Sequence, residues 1–255
     1  MVSPSSRHTR ISQEGKEGLR GEMQMVILAG GLGTRMRPLT EGTCKSMLRV
    51  KDKPFLEYQI ELMRENRVTD ILLCVGHLSH QIKEYFDDGK RFGVVIRYSE
   101  ESGGLLGMAG ALKNAVPLLS DEFLAMNGDS YLRLDYGDVM SYFQNRNKLA
   151  LAVVYKNGEP RYRNNIAIEG EMICIYDRNN KSGEMAYIDA GLWAMRKRAL
   201  SLIPTSCIAS QDEFFNKLIE RDELLAFETR QHFYEIGSFH GLDEFSRFIE
   251  RGVRR

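Results

Sequence analysis

Two patterns of apolar residues alternate along the chain. Short apolar runs of strand length, such as residues 23–29, are followed by segments in which apolar side chains recur every three or four positions, such as residues 55–65. An alternation of strands and helices is typical of βαβ units, in which helices cover a parallel sheet. The pattern predicts strands at residues 23–29, 71–75, 94–98, 123–126 and 149–155, and helices at residues 55–65, 80–86, 109–115 and 138–145.

The pattern changes after Lys156, where shorter strand candidates separated by polar turns predict a more antiparallel half. The candidates are strands at residues 165–168, 173–176, 191–195, 224–228 and 233–236, and helices at residues 212–220 and 242–251. We therefore expect one α/β domain over residues 23–255, with a Rossmann-like mixed sheet flanked by helices. Residues 1–22 are polar and lack the apolar core of a secretory signal, so we expect a flexible extension there.

Composition narrows the classes of function. The 255 residues, with 43% hydrophobic content, can bury one substantial core. Lysine plus arginine and aspartate plus glutamate both number 35, so the net charge of zero gives no support for nucleic-acid or membrane-surface partners. No stretch of the sequence is long and apolar enough to span a membrane. The cysteines are far apart and favour reduced thiols in a cytoplasmic protein; they are Cys44, Cys74, Cys174 and Cys207.

One short loop concentrates chemistry suited to phosphate. It follows the first predicted strand, and open α/β sheets bind ligands at strand ends. Its glycines allow close backbone approach, while a hydroxyl and basic groups add donors and charge, which suits a polyphosphate. These residues are Gly30, Gly31, Gly33, Thr34, Arg35, Arg37 and Lys45. A Walker ending is absent, and Met36 replaces the third glycine of a dinucleotide fingerprint, which argues against NAD binding. An ordinary glycine-rich turn with solvated basic side chains is the alternative.

The same loop carries a resemblance to a known family. The segments "LAGGLGTRMRPLT" and "CKSML" resemble the GGxGTRLxPLTxxxPKPL signature of the sugar-phosphate nucleotidyltransferases, and "LLGMAGAL", "FLAMNGDSY", "YIDAGLWAM" and "FYEIGSFHGLDEF" follow in family order. Within the family, the sequence is similar to bacterial mannose-1-phosphate and D-glycero-D-manno-heptose-1-phosphate guanylyltransferases. The resemblance implies the nucleotide-diphospho-sugar transferase fold, Mg²⁺ as cofactor, and a nucleoside triphosphate and a sugar 1-phosphate as substrates. It assigns nucleotide binding to about residues 23–155 and sugar-phosphate binding to about residues 156–255, and it leaves a homo-oligomer open.

In the family reaction, a phosphate oxygen of the sugar 1-phosphate attacks the α-phosphorus of the triphosphate and releases pyrophosphate. The resemblance implies that Arg35 stabilises the departing pyrophosphate, that Lys45 lies between the two reacting phosphates, and that Asp129 binds Mg²⁺. Glu235 stands where the family has its second metal-binding residue, an aspartate. The implied nucleotide-binding residues are Leu28, Ala29, Gly30, Gly31, Gly33, Thr34, Arg35, Glu101 and Gly107. The implied sugar-phosphate-binding residues are Asn127, Arg178, Asp189 and Gly191, with Lys181 as a nearby substitute for Arg178.

Glu101 favours GTP as the nucleotide, unless it is a solvated loop residue. A carboxylate accepts two hydrogen bonds from guanine N1–H and N2–H, whereas uracil turns two carbonyl groups toward it. One alternative is uridylyl or thymidylyl transfer to a hexose 1-phosphate. Another is a non-catalytic subunit that senses nucleotide sugars, which the departures from the family pattern at Cys44, Met108 and Glu235 keep open.

Two further clusters have structural interpretations. Residues 74–80, "CVGHLSH", hold a cysteine and two histidines, and zinc binding is one interpretation. Without a second cysteine pair, the segment is more typical of a turn from a strand into a helix. Phe245 and Phe248 lie at helical spacing and predict that the last helix packs onto the sheet.

Overall fold

The computed structural model describes residues 23–101, 104–158, 163–179, 185–204 and 209–253. The strands in these ranges are β1 (Gln24–Leu28), β2 (Arg49–Val50), β3 (Lys53–Pro54), β4 (Asp70–Val75), β5 (Val95–Glu100), β6 (Glu122–Asn127), β7 (Ser130–Leu132), β8 (Ala150–Lys156), β9 (Ile166–Glu169), β10 (Met172–Tyr176), β11 (Tyr187–Arg196), β12 (Leu224–Thr229) and β13 (Phe233–Glu235). The α-helices are α1 (Phe55–Glu65), α2 (Ser79–Phe86), α3 (Gly107–Asn114), α4 (Tyr136–Gln144), α5 (Gln211–Ile219) and α6 (Phe239–Val253). None of the helices in these ranges has the length and apolar character needed to cross a membrane. The predicted extension at residues 1–22, Lys181 and Cys207 lie outside the described residues.

Within the described residues, nine strands form one sheet in the order β5-β4-β1-β6-β11-β8-β12-β10-β9. Strands β5, β4, β1 and β6 are parallel to one another, whereas β11 runs antiparallel to both of its neighbours, β6 and β8. Strand β12 is parallel to β8, and β10 and β9 complete the sheet in antiparallel pairings. This is the mixed, Rossmann-like sheet predicted from the sequence, with its parallel part first.

Helices cover both faces of this sheet. Along β1, Met25 and Ile27 lie in one apolar cluster and Val26 in the other, because successive side chains of a strand point to opposite faces. All three side chains are fully buried, which explains the continuous apolar run that predicts this strand. Helices α1 and α6 contribute to the first cluster, through residues such as Ile60 and Phe245, and α3 and α5 contribute to the second.

The carboxyl ends of β1 and β6 meet at one edge of the sheet. Leu28 pairs with Asn127 at the end of this parallel ladder, and Gly128 donates its N–H to Leu28 O at 2.9 Å. A Cβ atom on Gly128 would lie 2.6 Å from Leu28 O, so the approach requires glycine. The segments that follow the two strands are therefore brought side by side.

A two-stranded antiparallel ribbon of β7 and β13 stands beside the main sheet. The pattern predicts β13 but not β7. The ring of Phe245 in α6 lies 5.0 Å from that of Tyr131, and the ring of Phe248 lies 4.5 Å from that of Tyr234. The predicted packing role of these two phenylalanines is confirmed, and the surface that they cover includes the ribbon.

Strand β11 begins at Tyr187, before the predicted start at residue 191. Gly191 has a φ of +75°, and the pairing with β8 shifts in register between Asp189 and Trp193. Such an irregularity interrupts the alternation of inward and outward side chains that marks a strand in a sequence. The pattern therefore predicts only the regular part of the strand that follows Gly191.

Candidate active site

A cavity of about 190 Å³ opens where β1 and β6 end. Its wall combines the loop after β1 and the turn after β6 with residues from the second half of the chain. The lining residues are Leu28, Ala29, Gly31, Arg35, Lys45, Ser46, Met108, Asn127, Gly128, Asp129, Arg178, Gln211 and Glu235. All three residues predicted to be catalytic, Arg35, Lys45 and Asp129, thus lie in one cavity.

The glycine-rich loop between β1 and β2 brings two cations to this cavity. Gly33 has a φ of +63°, and its carbonyl accepts a hydrogen bond from Thr40 Oγ1 at 2.8 Å. A Cβ atom on Gly33 would lie 3.2 Å from Lys45 Cβ, so the turn packs tightly against the segment that carries Lys45. The left-handed backbone and this crowding both favour glycine. The loop folds back on itself here, and Arg35 and Lys45 reach the same cavity.

Four charged groups converge beside Gly237. Lys45 Nζ lies 2.5 Å from Asp129 Oδ2. A Cβ atom on Gly237 would lie 3.2 Å from Arg35 Nη2, 3.3 Å from Asp129 Oδ2 and 3.5 Å from Glu235 Oε1. Two cations and two carboxylates therefore surround a small space. The cations suit phosphate groups, and the carboxylates supply the oxygen ligands that a hard divalent cation prefers.

The two carboxylates fit a Mg²⁺ ion. Burial raises the pKa of Glu235, and the carboxylate of Asp129 raises it further, whereas Arg35, Lys45 and Arg178 lower it. A divalent cation bound between two neighbouring carboxylates removes the repulsion between their negative charges. In the described part of the chain, no group of three or more His, Cys, Asp or Glu side chains could hold a metal. Mg²⁺ commonly uses one or two carboxylates together with substrate phosphates and waters, which matches this pair.

Asp189 offers no unengaged oxygen to the cavity. Its Oδ1 accepts from Gly191 N–H at 2.9 Å and from Trp193 Nε1–H at 3.1 Å. Its Oδ2 accepts from Tyr176 O–H at 2.8 Å and from Gln211 Nε2–H at 2.5 Å. These four protein donors match the four lone-pair sites of a carboxylate. The expectation that Asp189 accepts from sugar hydroxyls is therefore corrected: Asp189 holds Gln211, which lines the cavity.

A second cavity, of about 240 Å³, lies beside the glycine-rich loop. Its lining residues are Leu32, Gly76, His77, Glu101, Gly104 and Leu105. Glu101 Oε2 accepts from Leu106 N–H at 2.8 Å, and Glu101 Oε1 lies 2.6 Å from where a Cβ atom on Gly30 would stand. Burial raises the pKa of Glu101, and the Leu106 N–H lowers it. Because the consecutive residues Gly31 and Leu32 line the first and second cavities, the two spaces adjoin along one loop.

Some residues predicted to bind ligands line neither cavity. A Cβ atom on Gly107, where φ is +74°, would lie 2.6 Å from Ala209 O. A Cβ atom on Gly191 would lie 2.6 Å from Ser130 Oγ and 3.1 Å from Asn127 Nδ2. Both glycines therefore allow close packing between segments. The set outside both linings is Gly30, Gly33, Thr34, Arg37, Gly107, Asp189 and Gly191.

Comparison with known proteins identifies the family. Residues 24–164, more than half of the chain, match the sequence model of a family described as nucleotidyl transferase. The chain belongs to this family. It is 28% identical over 215 residues to the D-glycero-alpha-D-manno-heptose 1-phosphate guanylyltransferase of Campylobacter jejuni. This match covers 84% of this chain and 95% of that protein. It is 37% identical over 150 residues to the UTP–glucose-1-phosphate uridylyltransferase of Synechocystis sp., but this match covers 54% of this chain and only 38% of that protein.

The structure of this nucleotidyl transferase is similar to that of HddC from Yersinia pseudotuberculosis complexed with GMP-PN. The TM-score is 0.77 at 22% sequence identity, and the match covers 89% of this chain and 99% of that chain. The predicted nucleotide-diphospho-sugar transferase fold is confirmed. Both curated relatives named above are sugar-1-phosphate nucleotidyltransferases, the enzyme class that the sequence predicts.

Three residues that line the first cavity of this nucleotidyl transferase were not predicted from the sequence. The missed residues are Ser46, Gly128 and Gln211. Gln211 is the first residue of α5, and Ser210 and Glu213 form a capping box at that helix start. The S-x-x-E spacing marks the helix start in the sequence. It gives no sign that the residue beside Ser210 reaches a cavity.

The segment at residues 74–80 forms the end of β4 and the turn into α2, as its spacing predicts. Cys74 is buried, and its thiol lies 4.0 Å from Ala111 O. Burial, with a smaller contribution from the Glu101 carboxylate, raises the pKa of Cys74 to about 12. A thiol held protonated in the core is a packing group rather than a zinc ligand.

Proposed function

We propose that this nucleotidyl transferase transfers a guanylyl group from GTP to D-glycero-D-manno-heptose or mannose 1-phosphate. The observation that carries the proposal is the convergence of Arg35, Lys45, Asp129 and Glu235 where β1 and β6 end. The reaction joins two phosphate-bearing substrates, so it requires positioned reactants, concentrated positive charge and a divalent metal. The four groups supply the charge and the metal ligands.

Lys45 and Arg35 act on the phosphates. We assign Lys45 to the α-phosphate and the incoming sugar phosphate, because it lines the cavity and Asp129 holds its ammonium group beside the carboxylates. Arg35 stabilises the departing pyrophosphate with its planar set of donors. An oxygen of the sugar phosphate forms a bond to the α-phosphorus as the bond to pyrophosphate breaks. No protein nucleophile takes part, and the catalytic effect comes from placement and charge.

Asp129 and Glu235 are the residues that would hold Mg²⁺. When bound, the ion neutralises phosphate charge and orients the reacting oxygens. Glu235 pairs with Ser130 in the β7–β13 ribbon, so it stands beside the turn that carries Asp129. The additional methylene of glutamate, compared with the aspartate of the family pattern, extends its reach along the cavity.

The second cavity supports guanine as the base. Each oxygen of a carboxylate has two acceptor sites, so Glu101 can accept from guanine N1–H and N2–H while it keeps the hydrogen bond from Leu106 N–H. Leu32 and Leu105 give the cavity apolar walls that suit a flat ring. The guanylyltransferase of Campylobacter jejuni and the GMP-PN complex of HddC are consistent with this choice.

Uridylyl transfer to glucose 1-phosphate is the second candidate, because the chain is 37% identical to the Synechocystis enzyme over 150 residues. A pyrophosphate-release assay separates the candidates. GTP, UTP, CTP, dTTP and ATP are each combined, with Mg²⁺, with mannose, heptose, glucose and N-acetylhexosamine 1-phosphates. Turnover with GTP and heptose or mannose 1-phosphate is expected. Preference for UTP would favour the second candidate. Nucleotide-sugar binding without turnover in any combination would favour a non-catalytic, sensing role.

A pair of variants tests the assignment of the base. Glu101→Gln replaces one acceptor oxygen with a donor and is expected to raise the KM for GTP by roughly tenfold, the equivalent of one lost hydrogen bond of about 1.4 kcal/mol. Glu100→Gln is the matched control, since the neighbouring Glu100 carboxylate is exposed and bonds to Ser79 and Lys83. Equal effects of the two substitutions on the KM for GTP would argue against Glu101 as the base-binding group.

A further inference from the structure

We propose that Gln59 of α1 is a positioning residue that places both metal-binding carboxylates, Asp129 and Glu235, through the backbone. The inference rests on the metal site of the proposed function. Gln59 is fully buried, and it does not line the cavity. Its amide Nε2 donates to Asn127 O at 2.9 Å and to Ser130 O at 2.6 Å.

These two carbonyl groups bracket the turn that carries Asp129. Asn127 is the last residue of β6, and Ser130 is the first residue of β7. The two hydrogens of one planar amide therefore tie the two ends of the turn to a single point on α1. Because Asp129 lies between those ends, the direction of its side chain depends on this attachment.

The same attachment extends to Glu235. Ser130 and Glu235 are directly paired residues of the β7–β13 ribbon, and Ile236 N–H donates to Asp129 O at 2.9 Å. A displacement of Ser130 would therefore displace the strand that carries Glu235. One buried side chain of α1 thus holds the backbone from which both carboxylates project.

The other end of the Gln59 amide supports this interpretation. Its Oε1 is buried and has no hydrogen-bond partner among the described residues. An unpaired buried acceptor destabilises a folded protein, and an apolar side chain of similar size would fill this part of the core without that loss. The presence of glutamine is explained by the need for its two donors at the turn.

Gln24 offers a matched comparison within the same chain. It is also fully buried, its Nε2 donates to Leu118 O at 3.1 Å and to Asp70 Oδ2 at 3.0 Å, and its Oε1 accepts from Ser120 N–H at 2.8 Å. Gln24 begins β1, whereas the cavity lies at the other end of that strand. The same substitution there removes contacts of the same kind without touching the metal site.

The test compares Gln59→Met with Gln24→Met. Mn²⁺ binding is measured by electron paramagnetic resonance in the presence of pyrophosphate, and the Mg²⁺ dependence of turnover is measured separately. Gln59→Met is expected to weaken Mn²⁺ affinity by roughly 10-fold to 100-fold, the usual range when a group that orients a metal ligand is lost, and to shift the Mg²⁺ activation midpoint in the same direction. Gln24→Met is expected to lower thermal stability and to leave Mn²⁺ affinity unchanged. Gln59→Glu, which keeps the shape but loses at least one donor, is expected to weaken Mn²⁺ binding too and replaces Gln59→Met if that variant does not fold.

Unchanged Mn²⁺ affinity in the folded Gln59 variant would overturn the proposal. Equal weakening in Gln24→Met would also overturn it, because the loss would then follow general stability. If the wild-type protein bound no Mn²⁺, both the proposed metal site and the proposed role of Gln59 would be wrong. An error in the nucleotide or sugar of the proposed function is distinguishable, because the Mn²⁺ comparison with pyrophosphate does not depend on either substrate.

Discussion

Replacement of Asp189 by asparagine would test the hydrogen-bond network behind the cavity wall. The asparagine keeps one acceptor oxygen, which suits Gly191 N–H and Trp193 Nε1–H because neither donor can reverse its polarity. Its NH₂ group then faces Tyr176 and Gln211, whose hydroxyl and amide can both rotate to accept. Asp189→Asn is therefore expected to keep the fold. The side-chain amide of Gln211 is expected to rotate, so that its oxygen and nitrogen exchange places at the cavity.

The magnitude follows from which donors can find new partners. In Asp189→Asn all four contacts can be remade with a neutral group, so the free energy of unfolding should fall by about 1 kcal/mol. In Asp189→Ala the acceptors are lost, and the Gly191 and Trp193 donors stay buried and unpaired. At about 1–3 kcal/mol for each orphaned donor, the alanine variant should lose about 2–6 kcal/mol.

Urea unfolding of the two variants measures these losses, and steady-state kinetics measures their effect on the site. We expect Asp189→Asn to raise the KM for the sugar 1-phosphate more than the KM for the nucleotide. Only Gln211 changes what it presents to the cavity, and Gln211 belongs to the half of the chain that the family resemblance assigns to the sugar phosphate. Equal losses of stability in the two variants would refute the rearrangement. A loss below about 1 kcal/mol in Asp189→Ala would refute the burial of the donors.

Asp189 also gives stability a dependence on pH. Burial raises the pKa of Asp189 above its usual 3.8, so the folded protein holds a proton at pH values where the unfolded chain has released it. The contribution of Asp189 to the free energy of unfolding is therefore highest below 3.8 and falls as the pH rises through the folded-state pKa. Asp189→Asn removes this contribution. The difference in stability between wild type and variant should narrow from acidic to neutral pH, and a difference that widened would contradict the assignment.

Two further substitutions test the centre of the site, and a third tests the packing beside it. Lys45→Ala should lower turnover by roughly a hundredfold or more, as for the loss of one preorganised charge contact, and a near-normal kcat in the pyrophosphate-release assay would exclude the assigned role. Asp129→Ala should abolish Mg²⁺-dependent turnover while circular dichroism shows a retained fold; an unchanged Mg²⁺ activation curve would count against Asp129 as a ligand. Gly191→Ala should destabilise the protein by about 1–3 kcal/mol, because the new Cβ atom would meet Ser130 Oγ at 2.6 Å in a left-handed backbone. An unshifted urea midpoint in this variant would show that the strand adapts.

The charged centre could be predicted because its residues lie in short contiguous motifs. Arg35 and Lys45 belong to the loop after β1, and Asp129 follows β6 almost directly. Both strands are buried, so their apolar runs are visible in the sequence, and the carboxyl ends of parallel strands meet at one edge. Local patterns and one topological rule therefore bring these residues to one edge, and the resemblance to the family supplies their expected roles.

Contacts between distant segments could not be predicted in the same way. The type of residue at position 189 indicates an acceptor, but no spacing shows that Tyr176 and Gln211 would meet it as donors. Strand β7 is extended because it pairs with β13, a segment far from it along the chain. The neighbourhoods of Asp189 and Gln59 depend on which elements pack together, and that is a property of the whole fold.

The adjacency of β1, β6 and β11 limits how such an enzyme can diversify. Neighbouring strands lie about 4.8 Å apart, and this spacing is set by main-chain hydrogen bonds that every sequence makes alike. The distance between the loop after β1 and the turn after β6 is therefore set by the strand spacing, and no single substitution can lengthen it. We expect new substrates to be accommodated at the periphery, around Glu101 in the second cavity or around Gln211 in the first. An engineer who wished to change the substrate preference could therefore rebuild these cavity walls and leave the reacting centre as it is.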